Sequence, residues 1–183
     1  ESVYSRKDYC KKTFAYAGSL AKWQCFEETV DLYKKIEDMV PNTFFKVLTF
    51  SVEEAKLILE KKGVKNYSVA CVPKEKVFDE LTDATFGFII RQESVVNNVA
   101  TPTKFSSYMS AGVIPIFSSC LKDFSLLSNN MVYAKKVDNL SDDEISKVID
   151  FVNSSINPEE IKNEYYRIFD SYYNKLLHQK RLS

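Results

Sequence analysis

"ATPTKFSSYMSAGVIPIFSS", residues 100–119, decides how the chain is read. A helix that opens at Thr103 and Lys104 and stops at Gly112 runs directly into an apolar strand, "VIPIF". The stretch is therefore one helix–strand unit of a layered α/β sheet. Lys104 is its anomaly. The first turn of a helix has unpaired N–H groups and a partial positive charge, where Asp or Glu is usual, and a lysine costs a few tenths of a kcal/mol up to about 1. Three serines also follow on a segment otherwise patterned for burial.

Outward from this unit, β-rich runs alternate with helix-period segments, without repeat, linker or low-complexity stretch. The alternation predicts a three-layer, Rossmann-like open parallel sheet of about six strands. The strands are "TFAYA" (13–17), "TFFKVLTF" (43–50), "YSVACV" (67–72), "FGFIIR" (86–91), "VIPIF" (113–117) and "MVYA" (131–134). Between them, a helix over 25–39 buries Phe26, Val30, Tyr33 and Ile36, with Glu27 and Glu28 suiting its dipole. Ser51 and Glu54 form a capping box, Ala55, Ile58 and Leu59 face the sheet, and Gly63 closes that helix. A short helix over 73–81 turns Val77, Phe78 and Leu81 inward. Ser141 and Glu144 cap a helix carrying Ile145, Val148, Ile149 and Val152. Asn157 and Pro158 start the last helix, with Ile161, Tyr165, Ile168, Tyr172 and Leu176 on one face. That aromatic face must dock, and in an isolated domain part of it is left exposed.

The 183 residues are 45% hydrophobic, with 25 basic and 25 acidic side chains, enough for one core and one domain. Zero net charge gives no general attraction to nucleic acid or to an anionic membrane surface. Cys10, Cys25, Cys71 and Cys120 lie far apart, three of them in apolar surroundings, and read as reduced thiols of a cytosolic protein. No apolar run approaches the ~20 residues that span a bilayer, and "ESVYSRKDYC" has no signal-peptide core, so the chain reads as neither secreted nor membrane-spanning. The single histidine, His178, lies in a polar tail, which removes histidine triads and multi-histidine metal sites. Four glycines leave no dinucleotide fingerprint and no P-loop.

Ligands of open parallel sheets bind beyond the carboxyl ends of the strands. Gly18, Ser19 and Lys22 follow strand one there, Arg91 ends strand four, and Thr103 and Lys104 open the next helix. Bare helix N–H groups beside an ammonium make a phosphate cradle. The alternatives are a Lys104 that points to water and an Arg91 that solvates a strand end.

Three segments, "YAGSLAKWQCFEETVDLYKKI", "FGFIIR" and "NNVATPTKFSSYMSAGVIPIFSS", carry a resemblance over almost the whole chain. It resembles the C-terminal, donor-nucleotide domain of two-domain GT-B glycosyltransferases, especially the group 1 (family 4-like) enzymes of bacterial capsular and lipopolysaccharide synthesis. The run from Pro102 to Ile116 is its most specific element. The resemblance implies that Gly18, Ser19, Lys22, Thr103, Lys104 and Ser107 hold a nucleotide diphosphate sugar. Lys104 and Arg91 would then stabilise the leaving diphosphate, with retained stereochemistry and without a metal site or a cofactor other than the donor. It also implies a saccharide or lipid-linked saccharide acceptor on a missing N-terminal domain, toward which the helix over 157–179 packs, and leaves this half inactive alone. A cytoplasmic location follows, with peripheral attachment to the inner membrane through the absent domain.

Two positions depart from the family. Ser107 stands where relatives carry a glutamate that grips the ribose, a loss that reduces donor affinity by ~10- to 100-fold. Ser19 replaces a frequent arginine. Glu93 is a candidate replacement for the ribose contact, or a solvated loop carboxylate. The alternative function is a degenerate, non-catalytic scaffold of polysaccharide assembly. A receiver-like module is disfavoured, since the early strands lack an acidic cluster.

Overall fold

The structure, a computed structural model, describes residues 2–92 and 103–173. Glu93, Leu176 and His178 lie outside the described residues. Six parallel strands form one sheet: β1 (Lys12–Ala17), β2 (Thr43–Leu48), β3 (Tyr67–Ala70), β4 (Phe86–Ile89), β5 (Ile114–Ser118) and β6 (Lys135–Val137). Their spatial order is β3-β2-β1-β4-β5-β6. The three-layer α/β architecture is the one the alternation predicts. From β1 the chain steps to β2 on one side, and from β4 to β5 on the other, so the loops leaving β1 and β4 part and open a crevice between them.

Helices α2 (Phe26–Met39), α3 (Val52–Lys61) and α7 (Asp142–Asn153) cover one face of the sheet. There Phe14 of β1 stacks on Phe86 and Phe88 of β4 and meets Tyr33 of α2 edge-on. Helices α4 (Lys74–Leu81), α5 (Thr103–Ser110) and α6 (Lys122–Ser128) cover the other face. Phe105 of α5, Phe117 of β5 and Phe124 of α6 form its aromatic cluster. Gly112, at φ 66°, takes the left-handed turn that ends α5 and drops the chain into β5. The short α1 (Val3–Arg6) lies against α8 (Pro158–Ile168).

Local signals that rest on neighbouring residues hold: Ser141 accepts the N–H of Glu144, and Asn157 those of Glu159 and Glu160. Several expectations change. Ser51 makes no side-chain cap, because its backbone, at φ −88° and ψ 61°, is not extended as a capping residue requires. Residues 131–134 are not a strand: the N–H groups of Val132 and Tyr133 donate to the Glu164 carboxylate at 2.8 and 2.9 Å. With those donors taken by α8, pairing with β5 starts at Lys135. Helix α6, between β5 and β6, adds an element to those the sequence pattern predicts. Phe78 is 45% exposed, on an open groove that separates part of α4 from the sheet.

The four cysteines form no disulfide, but Cys10 and Cys71 are exposed, and Cys25 alone is buried. The aromatic face of α8 is not left open through Ile168: Ile161, Tyr165 and Ile168 are buried in this chain. Tyr165 donates to the Tyr133 carbonyl at 2.8 Å and packs edge-on with Tyr4 of α1. Among the described residues, no helix is long and apolar enough to cross a membrane.

Candidate functional site

The crevice between β1 and β4 is built around two glycines that permit close approach. At Gly87 in β4, an added Cβ would lie 2.5 Å from the Tyr108 ring, so this glycine lets α5 settle flat on the sheet. The Tyr108 hydroxyl then accepts the N–H of Ala17 at 3.2 Å and donates to the Phe88 carbonyl at 3.3 Å, bridging the ends of β1 and β4. Lys104 lies one turn before Tyr108, on the same helix face. Its side chain reaches Gly18, where an added Cβ would lie 2.5 Å from Nζ.

Lys104 Nζ donates to Gln24 Oε1 at 2.6 Å and lies 4.9 Å from the centre of the Tyr16 ring. Arg91 is 6% exposed, and its Nη2 donates to the same Gln24 oxygen at 2.6 Å. Its Nη1 donates to the carbonyls of Gln24 and Ile90, and its plane stands over Trp23. Loss of water around the ammonium, and then the charge of Arg91, lower Lys104 to about 7. Burial likewise lowers Arg91. No carboxylate forms a salt bridge with either cation among the described residues. Two neighbouring positive groups held by one neutral oxygen are arranged to receive an anion.

Gly18, Arg91 and Lys104 thus converge. Ser19 is exposed, and its carbonyl accepts the Tyr16 hydroxyl at 2.6 Å. Lys22, in a 3₁₀ turn (Lys22–Gln24), is exposed and makes no side-chain bond to the cluster. Thr103 is exposed at the start of α5, and Ser107 Oγ turns back onto the Thr103 carbonyl at 3.0 Å. Beside Gly18, the ends of β1, β2 and β3 enclose a largely apolar cavity of about 310 Å³, lined by Leu48, Phe50, Cys71, Val72 and Val77 among others. Sequence reasoning missed Gln24, Tyr108 and this cavity. The one available signal was Phe50, a large apolar residue just past a strand, which proves 83% exposed. No group of three or more His, Cys, Asp or Glu side chains is placed to hold a metal ion among the described residues.

No known family model matches the chain, and no curated protein matches it by sequence. Solved structures do match. They give the chain the α/β fold of a GT-B glycosyltransferase domain. WaaG, a glycosyltransferase involved in lipopolysaccharide biosynthesis, superposes with a TM-score of 0.68 at 11% identity, over 92% of this chain and 46% of WaaG. S. aureus TarM, solved in complex with fondaparinux, alpha-GlcNAc-glycerol and UDP, gives 0.71 at 11% identity, over 94% of this chain and 35% of TarM. The catalytic domain of the Helicobacter pylori cholesterol-alpha-glucosyltransferase gives 0.63 at 15% identity, over 88% of this chain and 99% of that domain. The chain therefore spans less than half of WaaG and of TarM.

Proposed function

We propose that the chain is the donor-binding domain of a retaining glycosyltransferase of cell-surface polysaccharide synthesis. The observation that carries this is the pair of cations, Lys104 and Arg91, gathered at the strand-order switch with only an amide oxygen between them. In this reading the diphosphate of a nucleotide sugar lies against Lys104, Gly18 and the first turn of α5. The nucleoside enters the apolar cavity beside Gly18. As the sugar departs, charge develops on the diphosphate, and the two side chains stabilise it in a site already organised for it. They supply the positive charge without a metal. Ser19, Lys22 and Thr103 would make peripheral contacts. A second domain, on the cytoplasmic face of the membrane, presents the saccharide or lipid-linked acceptor. The fold shared with WaaG and TarM, and the span of 46% of the one and 35% of the other, support that arrangement.

Calorimetry with uridine, guanosine and cytidine diphosphates tests the reading. Lys104→Ala should weaken the preferred diphosphate by ~10- to 100-fold, the loss of one charge-assisted hydrogen bond, and leave the bare nucleoside nearly unchanged. Equal losses for both would remove the phosphate role.

Ser107 favours a second reading, a non-catalytic scaffold. Its hydroxyl is spent on its own helix, so no acidic ribose contact stands at that position. Ser107→Glu separates the two: a gain of ~10-fold or more in nucleotide affinity marks an eroded site, and no change means the ribose is held elsewhere.

A further inference from the structure

Gln24 supplies what the cationic cluster otherwise lacks. Its side-chain oxygen receives Lys104 Nζ and Arg91 Nη2, each at 2.6 Å, and the residue is 6% exposed. Arg91 can only donate, and so can Lys104 as the ammonium, so the acceptor end of the amide must face them. A carboxamide oxygen carries only a partial charge, whereas two convergent cationic donors favour an anionic oxygen. The backbone beneath is fixed. Gln24 N–H donates to Ala21 at 2.7 Å, Cys25 N–H donates to Lys22 at 3.1 Å, and Cys25 then takes φ 50°, a left-handed conformation uncommon for a residue with a side chain. Only the side chain is free to leave.

We propose that the Gln24 carboxamide is an internal stand-in for a phosphate oxygen, holding Lys104 and Arg91 in place while the site is empty and yielding them to an entering diphosphate. The inference rests on the donor reading for the identity of that anion, and on the shared oxygen for everything else. Gln24 is then a self-inhibitory contact. Every anion must first break two charge-assisted hydrogen bonds, so affinity is set by a competition within the protein. The site is also kept from collapsing. Without the amide, the ammonium and the guanidinium would repel each other and lose their alignment.

The test is titration of inorganic pyrophosphate and of uridine, guanosine and cytidine diphosphates into the whole chain and two variants, with melting temperatures of the empty proteins. Gln24→Ala removes the competitor: it should melt lower than wild type and bind pyrophosphate ~10-fold tighter. Gln24→Glu places a permanent carboxylate between the cations: it should melt higher and bind ~10-fold or more weakly. These opposite shifts are the supporting result. Unchanged or weakened binding in Gln24→Ala, or wild-type affinity in Gln24→Glu, overturns the inference, and Gln24→Glu, being isosteric, decides it if Gln24→Ala fails to fold. No pyrophosphate binding by any of the three also overturns it. If pyrophosphate follows the expected pattern but uridine, guanosine and cytidine diphosphates bind no tighter, the donor reading fails and the stand-in remains. If a nucleoside diphosphate binds tightly through Lys104, yet the two variants do not move it in opposite directions, the donor reading stands and the stand-in fails.

Discussion

Lys104 changes its acid–base character with the occupancy of the site. Empty, it is held to about 7 by burial and by Arg91; an anion beside it favours the charged form and raises it. Between those two values binding takes up a proton. Affinity should therefore fall as pH rises above about 7, and below that Lys104 contributes no slope. The groups around it do not blur the window. Arg91 stays charged, while burial pushes Tyr16 on β1, Tyr108 on α5 and the Cys25 thiol upward. Uridine diphosphate affinity measured from pH 7 to 9 should weaken by up to ~10-fold per unit, and Lys104→Arg should flatten the profile. A flat wild-type profile would mean that Lys104 is not at the anion. At this scale the sequence showed the cations and not what joins them. Lys104 breaks the dipole rule and Arg91 ends a strand, so both are visible as charges. Gln24 is neutral in an amphipathic segment, and Tyr108 sits at core spacing, so nothing marks either until the fold brings them to the site.

Helix α5 is positioned by what β4 omits. A methyl group at Gly87 would meet the Tyr108 ring at 2.5 and 2.6 Å and the Val113 side chain at 2.9 Å. The ring cannot retreat without losing its bonds to Ala17 and Phe88. Gly87→Ala should destabilise the chain by ~1–3 kcal/mol, as overpacking does, and should also weaken diphosphate binding, because Lys104 moves with its helix. A lower melting temperature with unchanged affinity would mean that α5 does not carry the site. Most elements were legible, since apolar periodicity and caps are local. The sixth strand was not: Met131, Val132 and Tyr133 have β-forming side chains, but Glu164, 32 residues after Val132, takes the backbone donors first. Phe78 misled for a related reason. Periodicity places a residue on a face, but not how far its helix stands from the sheet.

For the molecule as a whole, the donor reading predicts binding without transfer. The cations and the apolar cavity lie on this chain, whereas in the proposal the acceptor belongs to a second domain. Incubated with a radiolabelled nucleotide sugar and an acceptor saccharide, the chain should retain nucleotide and release no glycosylated product. Turnover by the chain alone would overturn that division of labour. The packing of α1 against α8 has a consequence for folding order. Tyr4 donates to the Met109 carbonyl and packs on Tyr165, so it has its full set of partners only after Tyr165 has been synthesised. Such sequence-distant contacts form late and slow folding. During translation α1 is thus an incompletely docked, tyrosine-bearing segment, and its final packing waits for α8.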